Sequence, residues 1–416
     1  MAGGSSDADR QHVRQWIFAI AVAGVALRLA FSLFYWVDQP LTRDEREYLS
    51  LARGLAAGHG FVYDAALLRD GVEPFGRAPG YPAFLALVGG GHLVTSSVPT
   101  SVKVAQAVLG GIGILLIGAL ADRFAGARAG RIAAGIAACY PPLIWISAFA
   151  FSEALFWPLG LLVAWLFDRV LAPESRTRGL ALIVGALAGG AILVRGAMLL
   201  FVAVAGLWLL WSRRFTFAVA FALGVSLVLA PWAIRNQQHH GRFVLVASEG
   251  GVTFWTGNHP LATGDGDMAA NPAIKLDSQR LRAAHPDLTE EQMEPVYYRE
   301  AFSWIRQHPI AWLVLEARKA FYLVVPIGPS YTLHSARYVA MSWLAYGAVL
   351  PLALLGFANA RGRRARIPGL WLLACSAVVS ALVFFPQERF RLPILDPTLI
   401  VCAAAYLGHR RQGRLT

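Results

Sequence analysis

Lysine, cysteine and charged residues in general are scarce in this chain of 416 residues. Lys103, Lys275 and Lys319 are the only lysines, so nearly all of the positive charge is arginine. The arginines stand between apolar runs, which is typical of a membrane protein and argues against nucleic acid as a partner. All three cysteines lie inside apolar segments, which excludes a disulfide framework in the external loops.

The sequence signatures of common soluble enzymes are also missing. No P-loop, dinucleotide fingerprint, GxSxG elbow, HExxH or CxxC pattern occurs. Asp265-Gly-Asp267 lacks the rest of a calcium loop and is interpreted as a turn. His239, His240 and His259 have no metal-ligand spacing around them. The sequence therefore identifies no cofactor, and it leaves a divalent metal open.

Apolar residues are abundant instead, at 56% of the chain against 15% charged residues. This composition belongs in a lipid bilayer and predicts an all-α, polytopic membrane protein. The first apolar run is too long for a cleaved signal peptide and contains Arg28. About ten transmembrane helices are predicted, at 16–37, 101–121, 132–150, 154–171, 179–194, 196–212, 215–234, 337–358, 368–385 and 392–408.

Two further apolar stretches, 80–95 and 309–327, are ambiguous. The first contains three consecutive glycines, and the second holds Glu316, Arg318 and Lys319 in its middle. If neither stretch spans, the arginine clusters between the spans share one side, which the positive-inside rule makes cytoplasmic. We therefore predict ten spans with both termini inside, and two interfacial or re-entrant helices on the outer face.

This topology divides the chain into three parts. Residues 1–234 form an N-terminal transmembrane module whose first outer loop, 38–100, is the predicted catalytic loop. Residues 235–336 form an external segment with an interfacial helix, and residues 337–416 supply three C-terminal spans. The first outer loop, the external segment and two short turns then share the outer face, so their charged residues can converge at one depth.

A short helix is predicted at the start of the first outer loop. Thr42 and Glu45 form a capping-box pattern, and apolar residues recur at helical spacing from Tyr48 onwards. A short amphipathic helix that follows a long apolar run is expected in the membrane interface. Its opposite, polar face consists of Arg46, Glu47, Ser50 and Arg53.

Asp44 is the candidate functional residue of this helix. It lies one turn before Tyr48 on the apolar side, so it is expected to face the membrane body. A carboxylate there is costly unless it has a task, and partial dehydration would raise its pKa and make it a better general base. The alternative is a first-turn acid that only complements the helix dipole.

Further acids and arginines stand on the predicted outer face. Glu153 lies at the mouth of a span, and Arg389 and Arg391 fill a very short turn. For each arginine the alternative is snorkelling to lipid phosphate, and for Glu153 it is an acid at a helix N-terminus. The candidate catalytic residues are Asp44 and Glu153. The candidate substrate-binding residues are Glu45, Tyr48, Arg77, Tyr81, Arg235, Arg389 and Arg391.

Arginines together with a carboxylate at a lipid surface point to an anionic, lipid-anchored substrate. A polyprenyl-phosphate sugar fits, because its phosphate leaving group needs no general acid. Arginine forks would stabilise the departing phosphate, and one carboxylate would take the proton of the acceptor hydroxyl.

The motifs occur in the order acid helix, RxPGYP, Ser-Glu, PWxIRN and ERFRLP, starting at Asp44, Arg77, Ser152, Pro231 and Glu388. In this order they resemble bacterial integral-membrane glycosyltransferases of the GT-C fold, broadly glycosyltransferase family 39. Relatives in that group are protein O-mannosyltransferase and lipid A aminoarabinose transferase. The resemblance implies inverting transfer from a polyprenyl-phosphate sugar, with Asp44 as the base and Glu153 as the second acid. Arg195-Gly196 departs from the pattern, which has a Thr-Arg-Pro-like turn there.

The sequence thus predicts a multi-pass glycosyltransferase of the bacterial inner membrane, with its active site on the periplasmic or extracellular side. The expected partners are the polyprenyl-phosphate sugar, membrane lipid and a lipid, glycan or protein acceptor. A transporter or flippase for a lipid-linked sugar is the alternative. Such proteins have inverted repeats and broken helices with charges near the midplane, whereas the candidate charges here stand at one surface.

Overall fold

The computed structural model describes residues 7–63, 76–91, 96–172, 177–241 and 243–409. Every regular element in these ranges is helical, which confirms the all-α prediction. The α-helices are α1 Asp7–Ala30, α2 Arg43–Ala56, α3 Gly80–Leu87, α4 Thr100–Ala125, α5 Ala127–Cys139, α6 Pro141–Trp145, α7 Glu153–Val170, α8 Arg178–Val194, α9 Met198–Trp211, α10 Phe215–His240, α11 Glu249–Gly257, α12 Pro272–Ala283, α13 Glu290–Gln307, α14 Pro309–Val324, α15 Ala336–Asn359, α16 Pro368–Val383, α17 Glu388–Arg391 and α18 Leu395–His409.

Each of the ten predicted spans contains a helix, but the helices differ in length. Four are long and apolar enough to cross a bilayer, namely Gln11–Tyr35, Thr100–Ala125, Phe215–His240 and Ala336–Asn359. A bent pair beginning with α5 would make a fifth. Helices α8, α9 and α16 are apolar but shorter, with 17, 14 and 16 residues. The count of ten spans therefore stays a prediction.

The predicted span 132–150 is a bent pair of helices rather than one continuous helix, so its role as a single span stays a prediction. Helix α5 and the helical segment Pro141–Ala148 meet at 61°. Because prolines have no N–H to continue the ladder, carbonyl groups at the end of α5 lose their partners. The buried Arg28 of α1 replaces them and donates from Nη2 to the carbonyl of Ala137 at 3.1 Å.

The two ambiguous stretches form α3 and α14. Helix α3 has eight residues, and at 1.5 Å per residue it is about 12 Å long, too short to cross a membrane. In α14 the buried Lys319 donates to Glu316 Oε1 at 2.7 Å, to the Leu382 carbonyl at 2.8 Å and to Asn258 Oδ1 at 3.2 Å. These bonds satisfy a charge inside an apolar helix and fix α14 against the ends of α11 and α16.

Helix α2 forms as predicted, with Thr42 and Glu45 in a reciprocal capping box. Two members of its polar face, Glu47 and Ser50, are fully buried. One side of α2 packs on α3 through an edge-to-face contact between Tyr48 and Tyr81. Charged side chains of other segments cover the opposite side of α2. The protein therefore encloses this helix on both sides.

Two glycines permit the close backbone approaches that bring distant segments to α2. A Cβ on Gly80, at the start of α3, would lie 2.8 Å from the backbone of Leu193 near the end of α8. A Cβ on Gly257, at the end of α11, would collide with the carbonyl of Phe384 just before α17. Gly80 thus brings the first outer loop against the end of α8, and Gly257 brings the external segment against the C-terminal turn.

Three of the arginine clusters that the sequence places in the cytoplasm lie against neighbouring helix ends. Arg123, at the end of α4, donates to the carbonyl of Arg366 before α16 at 2.6 Å. Arg214, before α10, donates to the carbonyl of Ala172 after α7 at 3.2 Å. Helices α15 and α18 share a hydrophobic core with α4 and α5, so the C-terminal helices pack directly on the N-terminal ones.

Topology reporters test this arrangement. We expect fusions after Arg128 and Arg364 to read as cytoplasmic and a fusion after Gly264 to read as external, because the arginine-rich ends of the helices should stay inside. The sequence also predicts an external signal at Gly71 and a cytoplasmic signal at Arg176, and both positions lie outside the described residues. Alkaline phosphatase and fluorescent-protein fusions give the measurement. A cytoplasmic signal at Gly264 would refute the predicted topology.

Candidate active site

A set of oppositely charged side chains meets where α2, α3, α7, α8, α11 and α17 begin or end. We call it the charge cluster. Its acids come from α2, α7 and α11, and its arginines come from the segments before α3, after α8 and within α17. Its members are Asp44, Glu47, Arg77, Glu153, Arg195, Glu249 and Arg389.

Arg77 is the centre of one half of the charge cluster. Its Nη2 lies 2.7 Å from Asp44 Oδ1, its Nε 2.8 Å from Glu47 Oε2, and its Nη1 2.9 Å from Glu249 Oε2. Burial alone would lower the pKa of Arg77, but the carboxylates hold it well above its usual value. Every nitrogen of this guanidinium thus donates to a carboxylate, so Arg77 organises the acids.

Asp44 bridges the two halves of the charge cluster. Its Oδ2 lies 2.6 Å from Arg389 Nη1, while its Oδ1 binds Arg77. The expectation of a raised pKa is wrong. Burial does act to raise the pKa of Asp44, but the charges of Arg389 and Arg77 outweigh it and hold the pKa well below its usual value. Asp44 is therefore ionised, and it is a weak base while both arginines remain paired with it.

The other half of the charge cluster surrounds Glu153, which is buried at the start of α7. Arg195 Nη1 lies 2.7 Å from Glu153 Oε1, and Arg389 Nε lies 3.3 Å from the same oxygen. The side chains of Arg195 and Arg389 are 18% and 25% exposed, unlike the 9% of Arg77. Phe390 lies under both of them. These two cations are accessible to an anion from outside.

Sequence reasoning missed three members of the charge cluster. Glu47 is predicted on the polar face of α2, opposite Asp44, but it stands three residues after Asp44, and that spacing lets both reach Arg77. Arg195 lies on the predicted outer face and departs from a family motif, but it is not among the candidate site residues. Glu249 carries no motif at all and reaches Arg77 from a segment 172 positions away.

Glu45 has a second role besides the capping box. One carboxylate oxygen accepts from the backbone N–H of Thr42 at 2.8 Å, and the other accepts from the N–H of Ala150 at 2.9 Å. The second bond ties α2 to the loop that leads into Glu153. Burial raises the pKa of Glu45. Its carboxylate therefore fixes the relative position of the two candidate catalytic acids.

Both candidate tyrosines have their hydroxyl groups bound within the protein. Tyr48 donates to Ser152 Oγ at 3.3 Å, and Tyr81 donates to Gln106 Oε1 at 2.7 Å. The guanidinium of Arg77 lies 5.1 Å from the ring centroid of Tyr48. Burial raises the pKa of Tyr48 to about 12. These rings form a rigid wall behind Arg77.

Two predicted binding arginines lie in other surroundings. Arg391 Nε donates to Asp396 at 2.8 Å, and its guanidinium stacks 3.7 Å from the Tyr346 ring centroid. Arg235 packs on Trp232 and donates to Asn236. Within the described residues, neither arginine forms an ion pair with a member of the charge cluster. Their predicted substrate contacts stay predictions.

The candidate metal ligands are not gathered at one place. Within the described ranges, no group of three or more His, Cys, Asp or Glu residues is arranged to hold a metal ion. His239 and His240 pack against each other edge to face. His259 Nδ1 accepts from the N–H of Leu261 at 3.1 Å. A divalent metal therefore has no preformed site of this kind in the described part of the chain.

One protein-family model matches part of the chain. Residues 77–234 match the family model described as dolichyl-phosphate-mannose-protein mannosyltransferase. That range contains Arg77, Glu153 and Arg195 but not Asp44. No curated protein matches the chain significantly.

Solved structures match over nearly the whole chain. The Archaeoglobus fulgidus oligosaccharyltransferase, crystallised with Zn and sulfate, is 15% identical with a TM-score of 0.55 over 96% of this chain and 49% of that one. The same organism's AglB, in complex with an inhibitory peptide and a dolichol-phosphate, is 14% identical with a TM-score of 0.52 over 96% and 52%. ArnT from Cupriavidus metallidurans, bound to undecaprenyl phosphate, is 16% identical with a TM-score of 0.40 over 95% and 78%.

The chain spans about half the length of the oligosaccharyltransferases it matches. At these identities the likeness defines the fold, which is the GT-C fold of polytopic membrane glycosyltransferases. Together with the family match, it confirms the resemblance that the ordered motifs predict.

The double use of Glu45 generates a stability prediction. Glu45→Gln replaces one acceptor oxygen by an NH₂ group, so one of two buried N–H donors must face another donor. We expect a loss of unfolding free energy of about 1–3 kcal/mol. Thr42→Val removes only the side-chain cap and should cost about 1 kcal/mol. Thermal unfolding of the purified variants gives the comparison, and a smaller loss for Glu45→Gln than for Thr42→Val would contradict the shared bond.

Proposed function

We propose that this protein is an inverting glycosyltransferase that moves a sugar from a polyprenyl-phosphate donor to an acceptor hydroxyl. The observation that carries the proposal is the contact of 2.6 Å between Asp44, a candidate base, and Arg389, a partly exposed cation. A base and an anion site side by side are what this reaction requires. The family match to a dolichyl-phosphate-mannose-dependent enzyme and the dolichol-phosphate held by AglB support it.

The donor phosphate binds at Arg389 and Arg195 in this proposal. Both guanidiniums are partly exposed, and both are held in place by the buried Glu153. Arginine offers two parallel N–H donors to a phosphate, which suits a leaving group whose negative charge grows as the bond breaks. Glu153 therefore acts as the second acid by positioning the two arginines.

The chemical step then balances without a general acid. The acceptor oxygen forms a bond to the anomeric carbon from the face opposite the phosphate. The bond between that carbon and the phosphate oxygen breaks, and its electron pair leaves with the polyprenyl phosphate. The proton of the acceptor hydroxyl passes to Asp44. The configuration at the anomeric carbon is inverted.

Donor binding also activates the base. Two positive charges lower the pKa of Asp44, and that of Arg389 lowers it more than that of Arg77. A phosphate that draws Arg389 towards itself weakens this ion pair, so the pKa of Asp44 rises and its carboxylate becomes a stronger base. Arg77 keeps Asp44 in place meanwhile. The base is thus weak in the free enzyme and stronger once the donor is present.

The reaction takes place at the outer face of the bacterial inner membrane in this proposal. The arginine-rich helix ends formed by Arg123, Arg214 and Arg366 are cytoplasmic by the positive-inside rule. The charge cluster comes from the turns that the same rule places outside. The acceptor is a lipid, glycan or protein hydroxyl that approaches from the external segment, where Glu249 stands one-third exposed beside Arg77.

A flippase for a lipid-linked sugar is the competing function. The break between α5 and α6 is a feature that transporters share. Here Arg28 donates to the carbonyls of Ala137 and Ala138 at the break, which gives the break a structural explanation. Release of polyprenyl phosphate from a labelled polyprenyl-phosphate sugar, which only a transferase or hydrolase performs, separates the two functions.

The role of Asp44 is tested by Asp44→Asn, which keeps the shape and most hydrogen bonds but cannot accept a proton. Transfer should fall by about 100- to 10,000-fold while donor binding persists. Asp38→Asn, the same change at an exposed residue near the start of this loop, should retain activity. The measurement is release of labelled polyprenyl phosphate with a panel of sugar donors. Wild-type activity in Asp44→Asn would move the base elsewhere, with Glu153 the next candidate.

The donor site is tested at Arg389. Arg389→Ala should weaken binding of a polyprenyl phosphate by about 2 kcal/mol, and Arg389→Lys should also weaken it because a point charge cannot replace a fork. Arg214→Lys is the matched control, since Arg214 donates to the carbonyls of Val170 and Ala172 away from the charge cluster and its replacement should leave donor affinity unchanged. Unchanged donor affinity in Arg389→Ala would mean that this arginine only neutralises Asp44 and Glu153.

A further inference from the structure

A row of aromatic rings leads away from Arg389. The guanidinium of Arg389 lies 5.0 Å from the ring centroid of Phe151. Phe151 and Phe149 are stacked almost parallel, with centroids 5.2 Å apart. Phe149 lies 5.2 Å from Trp36, and Trp36 stacks on Phe31 at 6.0 Å. We call these four rings the aromatic path.

The aromatic path is half-buried along its whole length. Its far end belongs to the π-helix Phe31–Tyr35 at the end of α1, where Phe34 and Tyr35 are 84% and 56% exposed. Large apolar side chains with that exposure at the end of a membrane-spanning helix face lipid. The path therefore runs from a cation of the charge cluster to the lipid-facing surface.

Buried polar contacts hold the aromatic path in place. Lys103 of α4 is buried and donates to the carbonyl of Trp36 at 2.8 Å and to that of Ser32 at 3.2 Å. At the other end, Gln106 donates to the carbonyl of Phe149 at 2.9 Å. Both residues lie on α4, one turn apart. The two segments that carry the rings, 31–36 and 149–151, are thus both anchored to the same helix.

We infer that the aromatic path binds the isoprenoid chain of the lipid donor, an inference that rests on the function proposed above. A polyprenyl phosphate is an anion joined to an apolar chain, so its head and chain need a cation and a continuous apolar surface that reaches the bilayer. Arg389 and the aromatic path supply these in one unbroken series of contacts. Ring faces bury large apolar area and pack well against a flexible alkenyl chain.

A cavity in the external segment is the alternative binding site for the isoprenoid chain. It is a cavity of about 690 Å³ lined by residues that include Leu261, Val314 and Phe321, together with Arg318. In the described part of the chain, no hydrogen bond, ion pair or ring contact joins its lining residues to Arg389. The aromatic path is favoured because it begins in contact with that arginine.

The experiment compares two phosphates that share a head group, undecaprenyl phosphate and dimethylallyl phosphate, on the full-length protein in detergent. Affinities come from displacement of radiolabelled undecaprenyl phosphate, and their ratio measures how much the chain contributes. Trp36→Ala and Phe149→Ala should each reduce this ratio by about tenfold, because each removes apolar contact with the chain. The affinity for dimethylallyl phosphate should persist, which also shows that the variants are folded.

Two matched controls complete the test. Trp16→Ala changes a lipid-facing tryptophan of α1, 51% exposed, that lies outside the aromatic path. Phe321→Ala changes the cavity of the external segment. Both should keep the wild-type ratio. Trp36→Leu and Phe149→Leu, which retain an apolar side chain, replace the alanine variants if these do not fold, and should show a smaller decrease.

The outcomes separate this inference from the proposed function. An unchanged ratio in the Trp36 and Phe149 variants overturns the aromatic path, even where both phosphates bind. A decrease in Phe321→Ala alone places the chain in the cavity and overturns it as well. If wild-type protein binds neither phosphate, the proposed donor site itself is wrong and this inference falls with it.

Discussion

The ion pairs of the buried Arg77 are the interaction on which the charge cluster depends. A guanidinium removed from water is costly unless carboxylates surround it, and Arg77 meets three of them. These three acids come from α2 and α11, so the pairs fix the first outer loop against the external segment. Without Arg77, Asp44, Glu47 and Glu249 would repel one another across the contact between the two segments.

Asp44 links this rigid half of the charge cluster to an accessible one. Arg77 is enclosed and already paired, whereas Arg389 and Arg195 are partly exposed beside Glu153. An anion from outside therefore competes with the carboxylates for Arg389 and Arg195, and not for Arg77. The basicity of Asp44 depends on that competition, because its low pKa comes from both halves at once. The same geometry holds the acid in place and makes its strength depend on what occupies the site.

Other cations inside the fold show what a structural role looks like in this protein. Arg28, Lys103 and Lys319 are all buried, and all donate to backbone carbonyl groups at helix ends or breaks. They compensate for hydrogen bonds that a broken or ending helix cannot make in an apolar environment. Arg195 and Arg389 of the charge cluster differ, because they pair with carboxylates and remain partly exposed. Exposure thus separates these two arginines from the buried cations of the scaffold.

Local patterns in the sequence determined the helices and their order. The capping box of α2 needs only Thr42 and Glu45, and each predicted apolar span contains a helix. The chain by itself also marked Asp44, Glu153 and Arg389 as charges that an apolar environment would have to explain. It did not reveal Glu249 or Arg195, nor the second bond of Glu45 to Ala150, since their partners are far away in sequence. The pKa of Asp44 was decided by tertiary structure alone, because it depends on how close two distant arginines come, and coulombic energy follows distance in space rather than position along the chain.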